Sequence, residues 1–218
     1  MRGWQSKESD YKKFLQSDNG SSLLNPANNR GARPKLTLIA GANGSGKTTL
    51  TRWNAEFFKS IPVLDPDSIG KPLQPTSSTA FPIEGARQVL RSANDHLHRA
   101  ESFAVETTLS GKNYLRMMLD ARRFGFEIVL VYIGTDNVEI NLGRIRDRVL
   151  AGGHNVPEAD VRRRYGRSLA NLPIAVKRAD HTILFDNSTD EGYRMVAILS
   201  PTESRWLNPR PAWAFGVG

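Results

Sequence analysis

Leu36-Thr37-Leu38-Ile39-Ala40-Gly41-Ala42-Asn43-Gly44-Ser45-Gly46-Lys47-Thr48-Thr49-Leu50 reads as a short apolar strand, a glycine-rich loop and the opening of a helix. Residues Gly41 to Thr48 fit the pattern GxxxxGK[ST] in the strand-loop-helix context that gives the pattern meaning. The glycines let backbone N–H groups converge on a phosphate in conformations a Cβ would forbid, and the helix N-terminus adds a partial positive charge. On this reading Gly41, Ala42, Asn43, Gly44, Ser45, Gly46, Lys47, Thr48 and Thr49 cradle the phosphates of a nucleoside triphosphate such as ATP. Lys47 bridges the β- and γ-phosphates as a point charge, and the Thr48 hydroxyl is the expected protein ligand of Mg²⁺, a hard cation that takes oxygen donors.

Working outward, apolar runs at Pro62–Leu64, Phe103–Glu106, Glu127–Ile133 and Thr182–Phe185 are each short and apolar enough to be strands buried on both faces, with weaker edge strands expected around Arg194–Leu199. Stripes at helical spacing separate them: Ala86, Val89, Leu90, Ala93 and Leu97; Val138, Leu142, Ile145 and Val149; Val161, Tyr165, Leu169 and Leu172. Strands alternating with amphipathic helices predict an α/β fold, a P-loop three-layer sandwich with a mostly parallel central sheet. The chain divides into a polar arm over 1–34, with a short helix near Tyr11 to Gln16, a kinase-sized domain over 35–200 and a Pro-, Gly- and Trp-rich tail over 201–218. Trp206 and Trp213 of that tail are expected to pack on the domain surface.

Composition narrows the partners. Thirty basic against twenty-two acidic residues give a net charge of +8, which favours anionic partners. The absence of cysteine excludes disulfides, thiolate catalysis and Cys-based zinc sites. No apolar stretch reaches the roughly eighteen residues a membrane span needs, and no segment reads as an export signal, so a cytoplasmic protein without a membrane partner is expected. His96, His98 and His181 lack companions at zinc-ligand spacing.

The acceptor side is read from strand ends. Leu64-Asp65-Pro66-Asp67-Ser68 places two carboxylates at a carboxyl strand end, where such sheets bind ligands. Transfer to an alcohol needs a carboxylate to accept the hydroxyl proton and aim its oxygen at the γ-phosphorus, and Asp67 is the candidate base, with Asp65 on the metal side. The same residues equally suit a turn that caps a helix. Phe103-Ala104-Val105-Glu106-Thr107-Thr108 ends an apolar strand in a carboxylate and two hydroxyls, so Glu106, Thr107 and Thr108 are candidates for substrate contact; Glu106 would also serve to orient Mg²⁺ or cap a helix. Arg144, Arg146 and Arg148 run into Gly152-Gly153-His154, followed by Arg162-Arg163-Arg164-Tyr165. A glycine hinge flanked by arginines suits a lid that brings cations onto the transferring phosphate, although a solvated basic face has the same composition. Asp186-Asn187-Ser188 closes the last buried strand, as a turn or a border to the nucleobase.

Together, Gly41–Thr48, Asp65-Pro66-Asp67, Glu106-Thr107-Thr108-Leu109-Ser110-Gly111, Gly152-Gly153-His154-Asn155-Val156-Pro157 and Arg162-Arg163-Arg164-Tyr165 resemble the zeta toxin family over about Lys35 to Ser188. The resemblance implies an ATP-dependent kinase that phosphorylates the 3′-hydroxyl of UDP-N-acetylglucosamine and is held inactive by an antitoxin. It implies ATP and Mg²⁺ at Lys47 and Thr48, catalysis by Asp67, a sugar-nucleotide contact by Glu106 and an approach of Arg148 to the phosphates. His154 takes a position that is arginine in the best-known members, though it remains a candidate substrate contact. The full expectation is transfer of the γ-phosphate to a UDP-sugar hydroxyl, with Lys47 and Mg²⁺ offsetting the γ-phosphate charge, Arg148 and Arg164 stabilising the transition state and Asp67 as base. The alternatives are a kinase of a nucleoside, antibiotic or dinucleotide, and a nucleotide-switched nucleic-acid-binding module; the absence of a nucleic-acid motif with interleaved aromatics argues against the last.

Overall fold

The computed structural model describes residues 33–53, 55, 61–66 and 81–217, with only the backbone described at 81–84 and 86. Its elements run β1 (Lys35–Ala40), α1 (Lys47–Trp53), β2 (Val63–Leu64), α2 (Phe81–Arg99), β3 (Phe103–Thr107), α3 (Lys112–Arg123), β4 (Glu127–Gly134), α4 (Val138–Leu150), α5 (Glu158–Arg178), β5 (His181–Asp186), β6 (Arg194–Leu199) and β7 (Ser204–Trp206). The helix expected near Tyr11 and the candidate base Asp67 lie outside the described residues.

The strands form one seven-stranded sheet in the order β2-β3-β1-β4-β5-β6-β7. The first five are parallel, and β6 and β7 add antiparallel. This is the mixed α/β, mostly parallel architecture expected. Each expected strand forms, and β7 is an addition: Ser204, Arg205 and Trp206 show no apolar run, and they pair because β6 offers them a sheet edge.

Strand side chains alternate between two cores. Leu36 and Leu38 of β1 and Ile128, Leu130 and Tyr132 of β4 face the larger core, which α2, α3 and α5 cover with Val89, Leu97, Met118, Leu172 and Ala175. Ile39, Val129, Val131 and Ile133 face the other side, with Leu50 of α1. Trp213, at 8 % exposure, lies in the larger core rather than on the surface. Its ring is 5.6 Å from that of Tyr132, and its indole N–H donates to Asp186 Oδ1 at 3.1 Å.

A third, small cluster joins Leu142 and Ile145 of α4 to Val156 and Val161 around the start of α5. Val149, expected to extend the α4 stripe, is instead 37 % exposed, because the helix has by then left the core for the turn at 151–157. Helix starts follow their charges: Asn137 caps α4 by accepting from the Glu139 and Ile140 N–H groups, and α5 begins with Glu158 and Asp160 and ends with Lys177 and Arg178, matching the helix dipole. Among the described residues no helix is long and apolar enough to cross a membrane.

Candidate active site

The loop that leaves β1 is held open by left-handed glycines. Gly44 (φ +79°) and Gly46 (φ +106°) occupy backbone conformations that L side chains rarely adopt, and space is short as well. A Cβ on Gly44 would lie 2.6 Å from the Asn141 carbonyl oxygen; one on Gly46 would lie 2.5 Å from the Tyr193 hydroxyl and 2.7 Å from Asn187 Nδ2.

The same neighbours pin the loop's carbonyls. Asn141 Nδ2 donates to Asn43 O at 2.6 Å, Asn187 Nδ2 to Ser45 O at 2.8 Å and the Tyr193 hydroxyl to Gly46 O at 2.7 Å. Lys47 Nζ donates to Ala42 O at 3.1 Å, and the Gly41 N–H donates to Thr107 O at 3.2 Å. In a trans peptide the carbonyl and the next residue's N–H point in opposite directions. Drawing the carbonyls of 43, 45 and 46 outward therefore turns the N–H groups of Gly44, Gly46 and Lys47 toward the centre of the loop, as an anion cradle requires.

Across the cradle's edge stands Glu106, at the end of β3 and only 5 % exposed. Its carboxylate accepts from the Thr48 hydroxyl at 3.0 Å through Oε2 and from the Thr51 hydroxyl at 2.7 Å through Oε1. Burial pushes its pKa up and Asp65 adds to the rise, while the Thr51 bond, the Lys47 charge and the Thr48 bond pull the other way. A buried carboxylate on the hydroxyl at the metal-ligand position of the motif makes an oxygen donor pair for a hard divalent cation, which binds to one or two protein oxygens plus substrate phosphates. The pair fits Mg²⁺, and the cradle fits a polyphosphate. Glu106 thus stands beside the Thr48 and Thr51 hydroxyls at the start of α1.

The remaining candidates separate in space. Thr107 spends its hydroxyl on its own turn, accepting from the Leu109 N–H at 2.9 Å, while Thr108 and Ser110 share a 2.8 Å hydrogen bond. Thr49 is exposed on the first turn of α1. Arg164 reaches the loop, with Nη1 3.4 Å from Asn43 Oδ1. Arg148 turns to its own hinge: Nη2 donates to the His154 carbonyl at 2.8 Å, and its carbonyl accepts from the Gly153 N–H at 2.8 Å. His154 is exposed. Arg144 buttresses the β5–β6 loop through Asn187 O at 2.8 Å, and Arg162 and Arg163 make surface ion pairs with Glu139, Glu158 and Asp160. The structure therefore brings Lys47, Thr48, Glu106 and Arg164 around one loop and holds Arg148 and His154 together at the hinge.

Sequence reading missed Asn141, Thr51 and Tyr193 altogether, and gave Asn187 no part in the loop. Asn141 carried the best signal: a polar residue beside Leu142 in an apolar stripe, and in the fold it has 0 % exposure.

A parallel sheet with β1 between β3 and β4, a glycine loop leaving β1 and a helical pair over that loop define the P-loop kinase fold. The zeta toxin family model matches residues 21–191 of the 218, and the chain belongs to that family. An uncharacterized protein of Haemophilus influenzae is 36 % identical over 131 residues, covering 60 % of this chain and 92 % of the relative. Among solved structures, the AvrRxo1-ORF1:-ORF2 complex with ATP superposes with a TM-score of 0.66 at 19 % identity, covering 95 % of this chain and 70 % of that one. The structure from the PezAT chromosomal toxin–antitoxin system of Streptococcus pneumoniae gives 0.57 at 18 % identity, covering 96 % and 86 %. At these identities the two structures attest the fold.

Proposed function

We propose that this protein is an ATP- and Mg²⁺-dependent kinase that transfers the γ-phosphate to a hydroxyl of a UDP-sugar such as UDP-N-acetylglucosamine. The observation that carries the reading is the Thr48–Glu106–Thr51 hydrogen-bonded group set against a pinned glycine loop. Family membership favours the sugar nucleotide as acceptor, and the AvrRxo1 complex with ATP is consistent with a nucleotide on this fold.

In the proposed reaction the loop N–H groups and Lys47 bind and orient the triphosphate. Thr48 and Glu106 would hold Mg²⁺, which would offset phosphate charge when bound. Asp67, on sequence grounds the base, accepts the acceptor hydroxyl's proton as the new oxygen–phosphorus bond forms and the bond from the γ-phosphorus to the β–γ bridging oxygen breaks, releasing ADP. Arg164, already within reach of Asn43, supplies positive charge to the transferring group, and Arg148 would join it on movement of the Gly152-Gly153 hinge. The net charge of +8 suits an acidic partner protein, and we propose an antitoxin that covers this site.

The test is incubation with Mg²⁺ and ATP, with and without UDP-N-acetylglucosamine, followed by mass spectrometry of the sugar nucleotide. A product heavier by one phosphate, lost in Asp67→Asn and Lys47→Ala, is expected. An unmodified sugar nucleotide alongside ATP turnover would overturn the acceptor and point to another small molecule; absence of ATP binding would overturn the kinase.

A further inference from the structure

Directly after Glu106 the chain makes a turn that resists its own sequence. Leu109 has φ +55°, in the left-handed region that a branched side chain rarely enters, and is 0 % exposed. Such conformations persist where the surroundings over-determine them, and they cluster at functional sites. Three interactions hold this one: the Leu109 side chain is in the larger core, its N–H is taken by Thr107 Oγ1 at 2.9 Å and its carbonyl by Asn171 Nδ2 at 2.8 Å. Thr107 and Leu109 are buried, whereas Thr108 and Ser110 are partly exposed and share a hydrogen bond. The outcome is a fixed pair of hydroxyls at the carboxyl end of β3, the edge of the sheet where ligands bind in such folds.

Asn171 lies on α5, and α5 also carries Arg164, which reaches Asn43 in the phosphate loop. Seven residues separate the two, about 10 Å along a helix axis. Between them, Tyr165 donates to Thr135 O at 2.7 Å and Ser168 bonds the Tyr132 hydroxyl at 3.0 Å. One polar stripe on α5 thus fastens the phosphate-loop side and the β3–α3 turn to a single rigid element.

We propose that Asn171 is a positioning residue for the acceptor: by holding the Leu109 carbonyl it fixes the Thr108–Ser110 hydroxyl pair, which contacts an oxygen-rich acceptor, at a set distance from the phosphate loop. The inference rests on the kinase reading above, and neither Asn171 nor Ser110 was a candidate from sequence. Asn171→Ala and the shape-preserving Asn171→Asp both remove the donated bond, while Asn171→Gln keeps an amide donor.

Hydrogen exchange on the full chain, without any acceptor, reads the clamp directly. Exchange over residues 107–111 is expected to quicken at least tenfold in Asn171→Ala and Asn171→Asp, with residues 41–48 unchanged and partial recovery in Asn171→Gln. In the Mg²⁺-dependent assay with UDP-N-acetylglucosamine, the acceptor KM should rise at least fivefold while the KM for ATP stays within twofold. Unchanged exchange at 107–111 would overturn the proposal, as would an equal loss in both KM values with a general fall in protection. If the wild-type protein transfers no phosphate to the sugar nucleotide, the acceptor reading fails by itself, and hydrogen exchange still decides whether Asn171 holds the turn.

Discussion

Replacing Asn141 by Ala tests whether the phosphate loop owes its shape to distant side chains. Asn141 is wholly buried, donates to Asn43 O at 2.6 Å and accepts from the Thr135 hydroxyl at 2.5 Å. Truncation leaves two partners stranded: Asn43, 8 % exposed, and Thr135, 1 % exposed. A buried polar group left without a partner costs about 1–3 kcal/mol. The Thr135 hydroxyl rotates and recovers part of its share, so the expected loss is about 2–4 kcal/mol. At about 2–4 °C per kcal/mol for a chain of this size, Tm should fall by roughly 4–16 °C. Thermal unfolding monitored by circular dichroism measures the loss, and isothermal titration with Mg²⁺ and ATP should show affinity falling with it, because the Asn43 carbonyl no longer has its outward anchor. The double variant Thr135→Val/Asn141→Ala removes one of the stranded groups and should be at least about 0.5 kcal/mol more stable than additivity predicts. A Tm within about 2 °C of wild type, or unaltered ATP affinity despite a large Tm loss, would refute the link between this side chain and the loop.

Glu106→Gln should make the ligand-free protein more stable and the enzyme worse. Because burial raises the carboxyl pKa above its ordinary 4.5, the folded state binds that proton more tightly than the unfolded chain, and stability is lost as pH rises through the raised value. Neutral Gln avoids that loss, so the variant should melt higher at pH 7, with the gap closing below pH 4.5; a gap that widens on acidification would sink the argument. Phosphoryl transfer in the same variant should drop, since the carboxylate beside Thr48 is gone. Trp213→Ala should cost about 3–5 kcal/mol, as for other large buried side chains, and a thermal shift under about 2 °C would show that the chain's last residues are dispensable to the core.

The fold was legible because its strands are buried on both faces and therefore read as plain apolar runs. Lys35–Ala40 and Glu127–Gly134 are buried at nearly every position, and such runs need no knowledge of neighbours. β7 was not legible, since Ser204–Trp206 becomes a strand only through the edge that β6 presents. In the site, the glycine loop was legible because its chemistry is local. Its anchors were not: Asn141, Asn187 and Tyr193 lie 98, 142 and 147 residues from the carbonyls they hold. Glu106 was visible as a carboxylate at a strand end, but its hydrogen bonds to Thr48 and Thr51 were not, because they depend on α1 being set against the end of β3. Arg164 and Arg148 looked alike in sequence; geometry put one on the loop and the other on the hinge.

These placements give the site a consistent energetic character. A carboxylate is kept 5 % exposed, a leucine is forced left-handed, and loop carbonyls are drawn outward, so that N–H groups converge on the space meant for an anion. The buried carboxylate, the left-handed leucine and the converging N–H groups each raise the free energy of the protein, and the first and last would be relieved by the proposed ligands: a divalent cation beside Thr48 and Glu106 would offset the buried charge, and a polyphosphate would take up the N–H groups. The strain at Leu109 has no such relief from the donor nucleotide. Binding of Mg²⁺ and ATP should therefore raise Tm through the buried carboxylate and the converging N–H groups and leave the β3–α3 turn to the core contacts of Leu109, the Thr107 hydroxyl and Asn171, so substitution of Asn171 should separate the proposed acceptor effect from the donor effect.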